Sequence, residues 1–366
     1  MEYVTLETVC EILDSQRIPI TASERTQGQY PYYGANGIQD YVNGYLFDDE
    51  LVLLAEDGGN FGSKDRPIAY RVSGKCWVNN HAHVLKAKQE IDVDYLCYSL
   101  MFYDTTGIVN GATRQKLTQS AMRQMQIPMV SMTEQKDIVN KISKVESLIA
   151  ERKEQVEKLD LLVKSRFIEL FGDYDLSHAQ SEWKSISEIG KVVGGATPKT
   201  NIEEYWDGEY RWITPAELSA DSGYIYDSVR KLTKAGVDSC SLQEMPVDTV
   251  ILSSRAPIGK VAIAGNAFYC NQGFKNIICN DEVLPRYLYT VLLLNTEYLN
   301  SLGRGATFKE ISKSIVENIR IPVPPLELQE QFATFVEQTD KSKLEVQNSI
   351  AKLEELKKSL MQKYFG

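Results

Sequence analysis

The sequence predicts an α+β molecule: two globular α+β domains held apart by two long antiparallel coiled-coil helices, with the halves related by a pseudo-twofold. Three observations predict it. Residues 111–172 and 305–366 are one segment written twice, in register and without a gap, the second copy 194 residues after the first (305 against 111). Inside each copy, apolar residues recur at heptad spacing. The unlike stretches between the copies carry short apolar strands punctuated by Gly and Asn turns. The resulting segments are domain one (1–130), a central helix (131–172), domain two (173–325) and a C-terminal helix (326–366).

The repeat comes first because it dictates architecture. Both copies open on Gly-Ala-Thr (111–113 and 305–307) and carry Ile-Pro at 127–128 and 321–322. Both place a Gln seven residues after that Pro (Gln135, Gln329) and close on Phe-Gly (171–172, 365–366). About a quarter of the aligned positions are identical.

In the first copy the apolar seam runs Ile138, Ile142, Val145, Ile149, Val156, Leu159, Val163 and Leu170, interrupted by Arg152 and Arg166. In the second it runs Phe332, Val336, Val346, Ile350, Leu353 and Leu360, with Thr339, Lys343, Lys357 and Tyr364 at the remaining seam positions. Steps of four and three sustained over five heptads argue for coiled-coil packing. Prolines (Pro128; Pro322, Pro324, Pro325) mark the entries, and Gly172 and Gly366 the exits. The span Thr133–Leu170 would run roughly 57 Å at about 1.5 Å per residue. Charged seam residues fix register while their heads reach water. Chain order is domain, helix, domain, helix. Twofold-related halves then make the helices antiparallel partners and a ruler between two readers.

The domains resemble each other weakly. Leu51–Leu54 matches Thr249–Leu252 as a strand, and each leads to a turn, Asp57–Gly62 or Arg255–Lys260. Cys76–Leu85 aligns with Phe268–Ile277, a strand feeding an Asn turn (Asn79-Asn80; Asn271-Gln272). Asp94–Leu100 and Pro285–Leu292 both read as Tyr-Leu helices.

Composition narrows the class. The formal charge is −10, distributed as −5, 0, −4 and −1 over the four segments, which argues against a generic basic nucleic-acid binder. No apolar run approaches 18 residues and the N-terminus has no signal-peptide pattern, so no membrane segment is expected. The six cysteines form no CxxC, consistent with reduced thiols in the cytoplasm.

Catalytic motifs are missing. No Asn/Asp-Pro-Pro-aromatic motif of an amino-methyltransferase and no GxGxxG is present. Ser254–Lys260 departs from a P-loop because Ser254 stands where Gly is required and Val261 where Ser or Thr is required. His81 and His83 would share a strand face, but no third ligand is in view, so no metal is assigned. The turn chemistry does suggest DNA. Lys64, Arg66, Asn79, Asn80, His81, Arg114 and Lys116 lie in or beside turns of domain one, and Lys199, Arg255, Lys260, Gln272, Lys275, Arg304 and Lys309 in domain two. Arg and Lys suit guanine edges and phosphates, and Asn and Gln suit adenine edges.

Several stretches in order carry a family likeness: Gly194-Gly195-Ala196-Thr197-Pro198-Lys199, Trp212-Ile213-Thr214-Pro215 and Ser254–Val261. Asn271-Gln272-Gly273-Phe274-Lys275, Gly305–Ile311 and Ile321-Pro322-Val323-Pro324-Pro325-Leu326 with Gln329 continue it. With these, and with the duplicated helices, the chain resembles the specificity subunit of Type I restriction–modification systems. Domain one departs at Asp57-Gly58-Gly59-Asn60 and Val130-Ser131.

The resemblance implies two target recognition domains that each read one half of a split sequence in double-stranded DNA. It implies helices that set the unread spacer and dock two methyltransferase subunits, with motor–nuclease subunits joining to cut. The chain itself would be non-catalytic and cofactor-free, with S-adenosylmethionine, ATP and Mg belonging to those partners. Alternatives are the recognition subunit of a Type IIB-like or phage-defence methyltransferase, and a coiled-coil protein scaffold that binds no DNA.

Overall fold

Two 40-residue helices, Met132–Phe171 and Leu326–Phe365, occupy matching positions in the two copies of the repeat. The computed structural model describes residues 2–111, 115–218, 223–240, 242–255, 257–305 and 309–366. At the start of the central helix, Ser131 and Glu134 exchange hydrogen bonds in a capping box, satisfying donors that the first turn leaves open. Pro324 and Pro325 lead into the C-terminal helix, where a missing N–H costs nothing. Gly172 ends the central helix at φ 93°, a left-handed position that glycine takes without strain.

The chain divides into two compact units: Met1–Gln155 with Glu345–Gly366, and Val156–Leu344. Each contains one α+β domain and a stretch of both long helices. In unit one a six-stranded sheet runs in the order Cys10–Ile12, Ala82–Ala87, Phe47–Ala55, Ala69–Val78, Gln27–Gly34, Gly37–Val42. Its central strand is buried on both faces. Val52 and Leu54 pack toward the helix Val93–Met101, while Leu51 and Leu53 join Val72, Val78 and Val84 on the other side. Unit two has a five-stranded sheet (Gly190–Gly194, Lys275–Cys279, Val250–Leu252, Val261–Ala264, Tyr224–Ile225) and a three-stranded one (Arg230–Leu232, Trp206–Ile213, Tyr269–Cys270).

The duplication reaches further upstream than sequence identity does. Glu2–Thr5 pairs antiparallel with Gln126–Met129, and Lys184–Ser185 pairs in the same way with Arg320–Ile321. Tyr95 donates its hydroxyl to the Pro128 carbonyl and Tyr287 to that of Pro322, both at 2.9 Å. Gln135 and Gln329, both fully buried, act as identical pins. Gln135 accepts from the Asp92 N–H at 2.8 Å and donates to the Glu90 and Val130 carbonyls. Gln329 accepts from the Leu284 N–H at 2.8 Å and donates to the Glu282 and Pro324 carbonyls. A buried amide that closes three backbone groups ties helix entry to domain.

Within unit one, Glu146 pairs with Lys357 at 2.6 Å and Lys153 with Glu354 at 3.1 Å. Numbers rising on one helix against falling on the other make the pairing antiparallel. In unit two, Asp160 pairs with Lys343 at 2.8 Å, so Lys343 and Lys357 both place their amines on carboxylates at the seam's edge. Ile138, Ile142, Val145, Ile149, Phe332, Val336 and Val346 are buried. Val156, Leu159, Val163, Ile350, Leu353 and Leu360 are half-buried, as two helices alone leave a seam partly open. Phe167 and Phe171, absent from the expected seam, are buried against Tyr287 and Phe332. They stand one step beyond Arg166 and Leu170 because a 3.6-residue helix drifts away from a 3.5-residue repeat.

All six cysteines are free. Burial pushes the thiols of Cys10, Cys76, Cys97, Cys270 and Cys279 up to about 12, leaving them unreactive. No helix among the described residues is long and apolar enough to cross a membrane.

Candidate nucleic-acid interface

The two units build the same turn. In unit one, Tyr33 runs parallel beside Val78, and the Asn79 N–H then donates to the Tyr33 carbonyl. In unit two, Ile213 lies parallel beside Cys270, and the Asn271 N–H donates to the Ile213 carbonyl. Each Asn then caps its own turn: Asn79 Oδ1 accepts from the His81 N–H at 2.8 Å, and Asn271 Oδ1 from the Gly273 N–H at 2.9 Å. This Asx turn is a local alternative to strand continuation. It leaves one exposed amide residue at each tip, Asn80 and Gln272.

Around the unit-one tip, other loops are tied in by side chains. Asn36 in the Gly34–Gly37 hairpin turn donates to the Gly58 carbonyl at 3.0 Å, and Asn79 donates to Gln39 at 3.1 Å. His81 Nδ1 lies 2.6 Å from Asp57. Lys116 bridges to Asn110 and Asp57 through its backbone and places its amine 3.0 Å from Glu56. Lys64 and Arg66 are exposed on the neighbouring loop. Arg114 lies outside the described residues. Of the sequence-selected residues, Asn79 is 3% exposed and spends its side chain on the turn itself.

Beneath these loops Asp14, Glu56 and His83 meet in a cluster with the geometry of a metal site. Contrary to the shared strand face expected from spacing, His81 sits in the turn and His83 lies in the strand Ala82–Ala87, facing inward. Its Nδ1 lies 2.7 Å from Asp14 and its Nε2 2.9 Å from the Leu117 carbonyl. Both ring nitrogens thus lie against protein oxygens. Arg17 at 2.7 Å and Lys116 at 3.0 Å neutralise Glu56. Burial pushes the Asp14 and Glu56 carboxyls up. Hydrogen bonds to Asp14 from His83, Val84 and Gln119, and to Glu56 from Arg17 and Lys116, outweigh it and hold both below the usual carboxylate range. The cluster is a closed ion network that fastens loops, and the donor set does not fit a metal.

In unit two, Thr197 donates its hydroxyl to Gln272 Oε1. Arg255 Nε lies 3.0 Å from Glu310 and Lys275 Nζ 3.3 Å from it, with Lys275 also 3.2 Å from Ser254 Oγ. Glu310 occupies the repeat position of Lys116, so the same clamp is built with reversed charges. Burial pushes the Glu310 carboxyl up, but its two cations bring it below the ordinary value. Lys260 donates to the Leu218 carbonyl at 2.6 Å, which braces the loop after Thr214. Lys199, Arg255, Arg304 and Lys309 remain exposed.

Sequence reasoning passed over Asn36, Gln39 and Thr197, which orient loops through contacts distant in the chain. It also passed over Val229, 86% exposed, whose N–H is held by Glu217 at 2.8 Å. An isolated polar residue in a loop gives no sequence signal of its partner.

Each unit thus gathers Asn, Gln, Lys and Arg side chains on a rigid cluster of turns at one end of its sheet. This is how a scaffold presents groups to base edges and phosphates. Among the described residues, no nucleophile–base pair occupies either cluster. Together these features define a two-unit protein whose turns present polar and basic side chains of the kind that meet DNA. Residues 1–158 and 180–358 match the Type I restriction modification DNA specificity domain, and the chain belongs to that family.

The chain is 43% identical over 185 residues to the Type I restriction enzyme MjaIX specificity subunit of Methanocaldococcus jannaschii, a match spanning 49% of this chain and 43% of that protein. It is 26% identical over 353 residues to a putative type I restriction enzyme specificity subunit of Haemophilus influenzae, covering 92% of this chain and 87% of the relative. The fold matches the crystal structure of a Type I S subunit from M. genitalium with a TM-score of 0.60 at 16% identity, covering 100% and 96% of the two chains. A chain from a structure describing complex assembly and conformational transition of a type I R-M system matches with a TM-score of 0.61 at 18% identity, covering 100% and 97%.

Proposed function

We propose that this specificity subunit reads a bipartite, asymmetric site in double-stranded DNA, one half through each loop cluster, and docks two methyltransferase subunits. The observation that carries the reading is the duplicated Asx-turn cluster: one scaffold, built twice, with an amide at each tip and unlike side chains around it. Unlike surroundings on like scaffolds suit two different half-sites. Residues 1–130 and 173–325 serve as the two target recognition domains, and 131–172 and 326–366 as the helices that fix the unread spacer. Lys64, Arg66, Asn80, His81 and Lys116 face DNA from the first domain, and Arg114 belongs with them as a DNA-contact candidate. Lys199, Arg255, Gln272, Arg304 and Lys309 face it from the second. Asn79, Lys260 and Lys275 brace the turns that present them.

The acidic balance (−10) fits an assembly in which partners supply much of the basic surface. Motor–nuclease subunits complete the complex in the cytoplasm, and S-adenosylmethionine, ATP and Mg act in the partners, where the target adenine is flipped from the stack.

The test is selection of duplexes from a randomised pool by the chain assembled with its methyltransferase subunits. Two blocks of fixed bases separated by unread positions are expected. Recovery of no preferred sequence by a stable complex contradicts the reading and favours a protein scaffold.

A further inference from the structure

We infer that Asn80 and Gln272 are equivalent base-reading residues, each recognising the major-groove edge of one adenine, one per half-site. The inference rests on the DNA-reading function proposed above and adds which side chains make the decisive contact and to which base.

The geometry carries it in three steps. First, the two residues hold the same place. Each follows an Asn whose side chain is consumed by an Asx turn and whose backbone N–H is fixed to the adjacent parallel strand. A tip anchored at both levels loses little freedom when it meets a partner, which is the requirement for a specific contact.

Second, both tips are exposed amides. The residues before them turn inward: Asn79 is 3% exposed, and Asn271 is bonded to Gly273. The amide of Asn80 makes no hydrogen bond among the described residues. That of Gln272 is oriented by Thr197, whose hydroxyl donates to Oε1 and so fixes which end of the amide is oxygen. The second lone pair of Oε1 and both amide hydrogens stay available.

Third, an amide offers one acceptor and one donor side by side. Adenine presents the complement in the major groove, the N6 amino donor beside the N7 acceptor. Guanine presents two acceptors there, so the amide carbonyl would face O6 and be repelled. Thymine and cytosine each offer the amide one polar group. Adenine is therefore the base that satisfies both ends of each tip.

The experiment uses the full chain assembled with its methyltransferase subunits and measures binding to the selected bipartite site, with each position varied in turn. Asn80→Ala and Gln272→Ala are expected each to relax one position of one half-site, lowering the preference for adenine there about tenfold or more. The other half-site keeps its full selectivity, which also shows that the variant is folded. Replacing that adenine by 7-deazaadenine, which lacks the N7 acceptor, should weaken the wild-type complex and leave the matching variant unchanged. If the wild-type complex selects a split sequence but both variants keep every base preference, or lose affinity equally at all positions, the inference is overturned while the DNA-reading function stands. If the wild-type complex selects no sequence, both fall.

Discussion

Replacing Gln135 or Gln329 by Leu tests the idea that the duplicated segment is pinned to each domain by one buried amide. The substitution keeps side-chain volume and removes every polar atom. Gln135→Leu leaves the Asp92 N–H and the Glu90 and Val130 carbonyls without their partner, and Gln329→Leu does the same to Leu284, Glu282 and Pro324. A net hydrogen bond contributes about 1 kcal/mol, and a buried group left unpaired costs about 1–3 kcal/mol. Three affected groups, partly offset by the added apolar burial, give about 2–5 kcal/mol, a large share of the roughly 5–15 kcal/mol that holds a domain folded.

Urea unfolding followed by tryptophan fluorescence separates the units, because Trp77 lies in unit one while Trp183, Trp206 and Trp212 lie in unit two. With a slope of about 2 kcal/mol per molar, the midpoint of the affected unit should fall by roughly 1–2.5 M. The Trp77 signal should report Gln135→Leu and the other three Gln329→Leu. A shift within error in the mutated unit, or equal shifts in both, would refute the pin.

Three further outcomes follow from named contacts. Asp14 and Glu56 are held below their ordinary values of 3.8 and 4.5, so the stability they contribute is present above that range and is lost as pH falls through their lower folded values. Acid unfolding of unit one should therefore start below about pH 4.5 and flatten in Glu56→Gln, which a pH series of the Trp77 signal checks. Arg255→Ala, which removes a half-exposed guanidinium held by Glu310, should weaken one half-site by about 1–3 kcal/mol in binding assays and leave the other unchanged. Seven residues inserted after Glu151, matched in the C-terminal helix, should lengthen the unread spacer in a duplex selection while both half-sites keep their bases.

The helices were legible in the sequence almost to the residue. Their C-terminal ends coincide with those of the repeat, and heptad periodicity, prolines and terminal glycines each encode a local preference. The strand Leu51–Leu54 and the helices beginning near Asp94 and Pro285 were legible for the same reason. The site was legible as a composition but not as a constellation. Asn79 and Asn80 look alike in sequence, yet the ladder beside Tyr33 turns one inward and leaves the other at the tip. Lys260 looked like a free cation until the loop at Leu218 closed over its amine. Phe167 and Phe171 escaped because helix drift, not heptad arithmetic, decides which residue faces the domain core. Such outcomes depend on contacts between segments far apart in the chain, which local pattern does not specify.

The central claim is that this chain supplies a split DNA address to a methyltransferase. Its most direct test is to express the chain with its methyltransferase partners in a host and map modified bases across the genome. The account predicts methyladenine at every copy of one bipartite, asymmetric motif, with a modified base in each half and fixed spacing between them. A stable complex that leaves host DNA unmodified, or that modifies a single continuous motif, would contradict it.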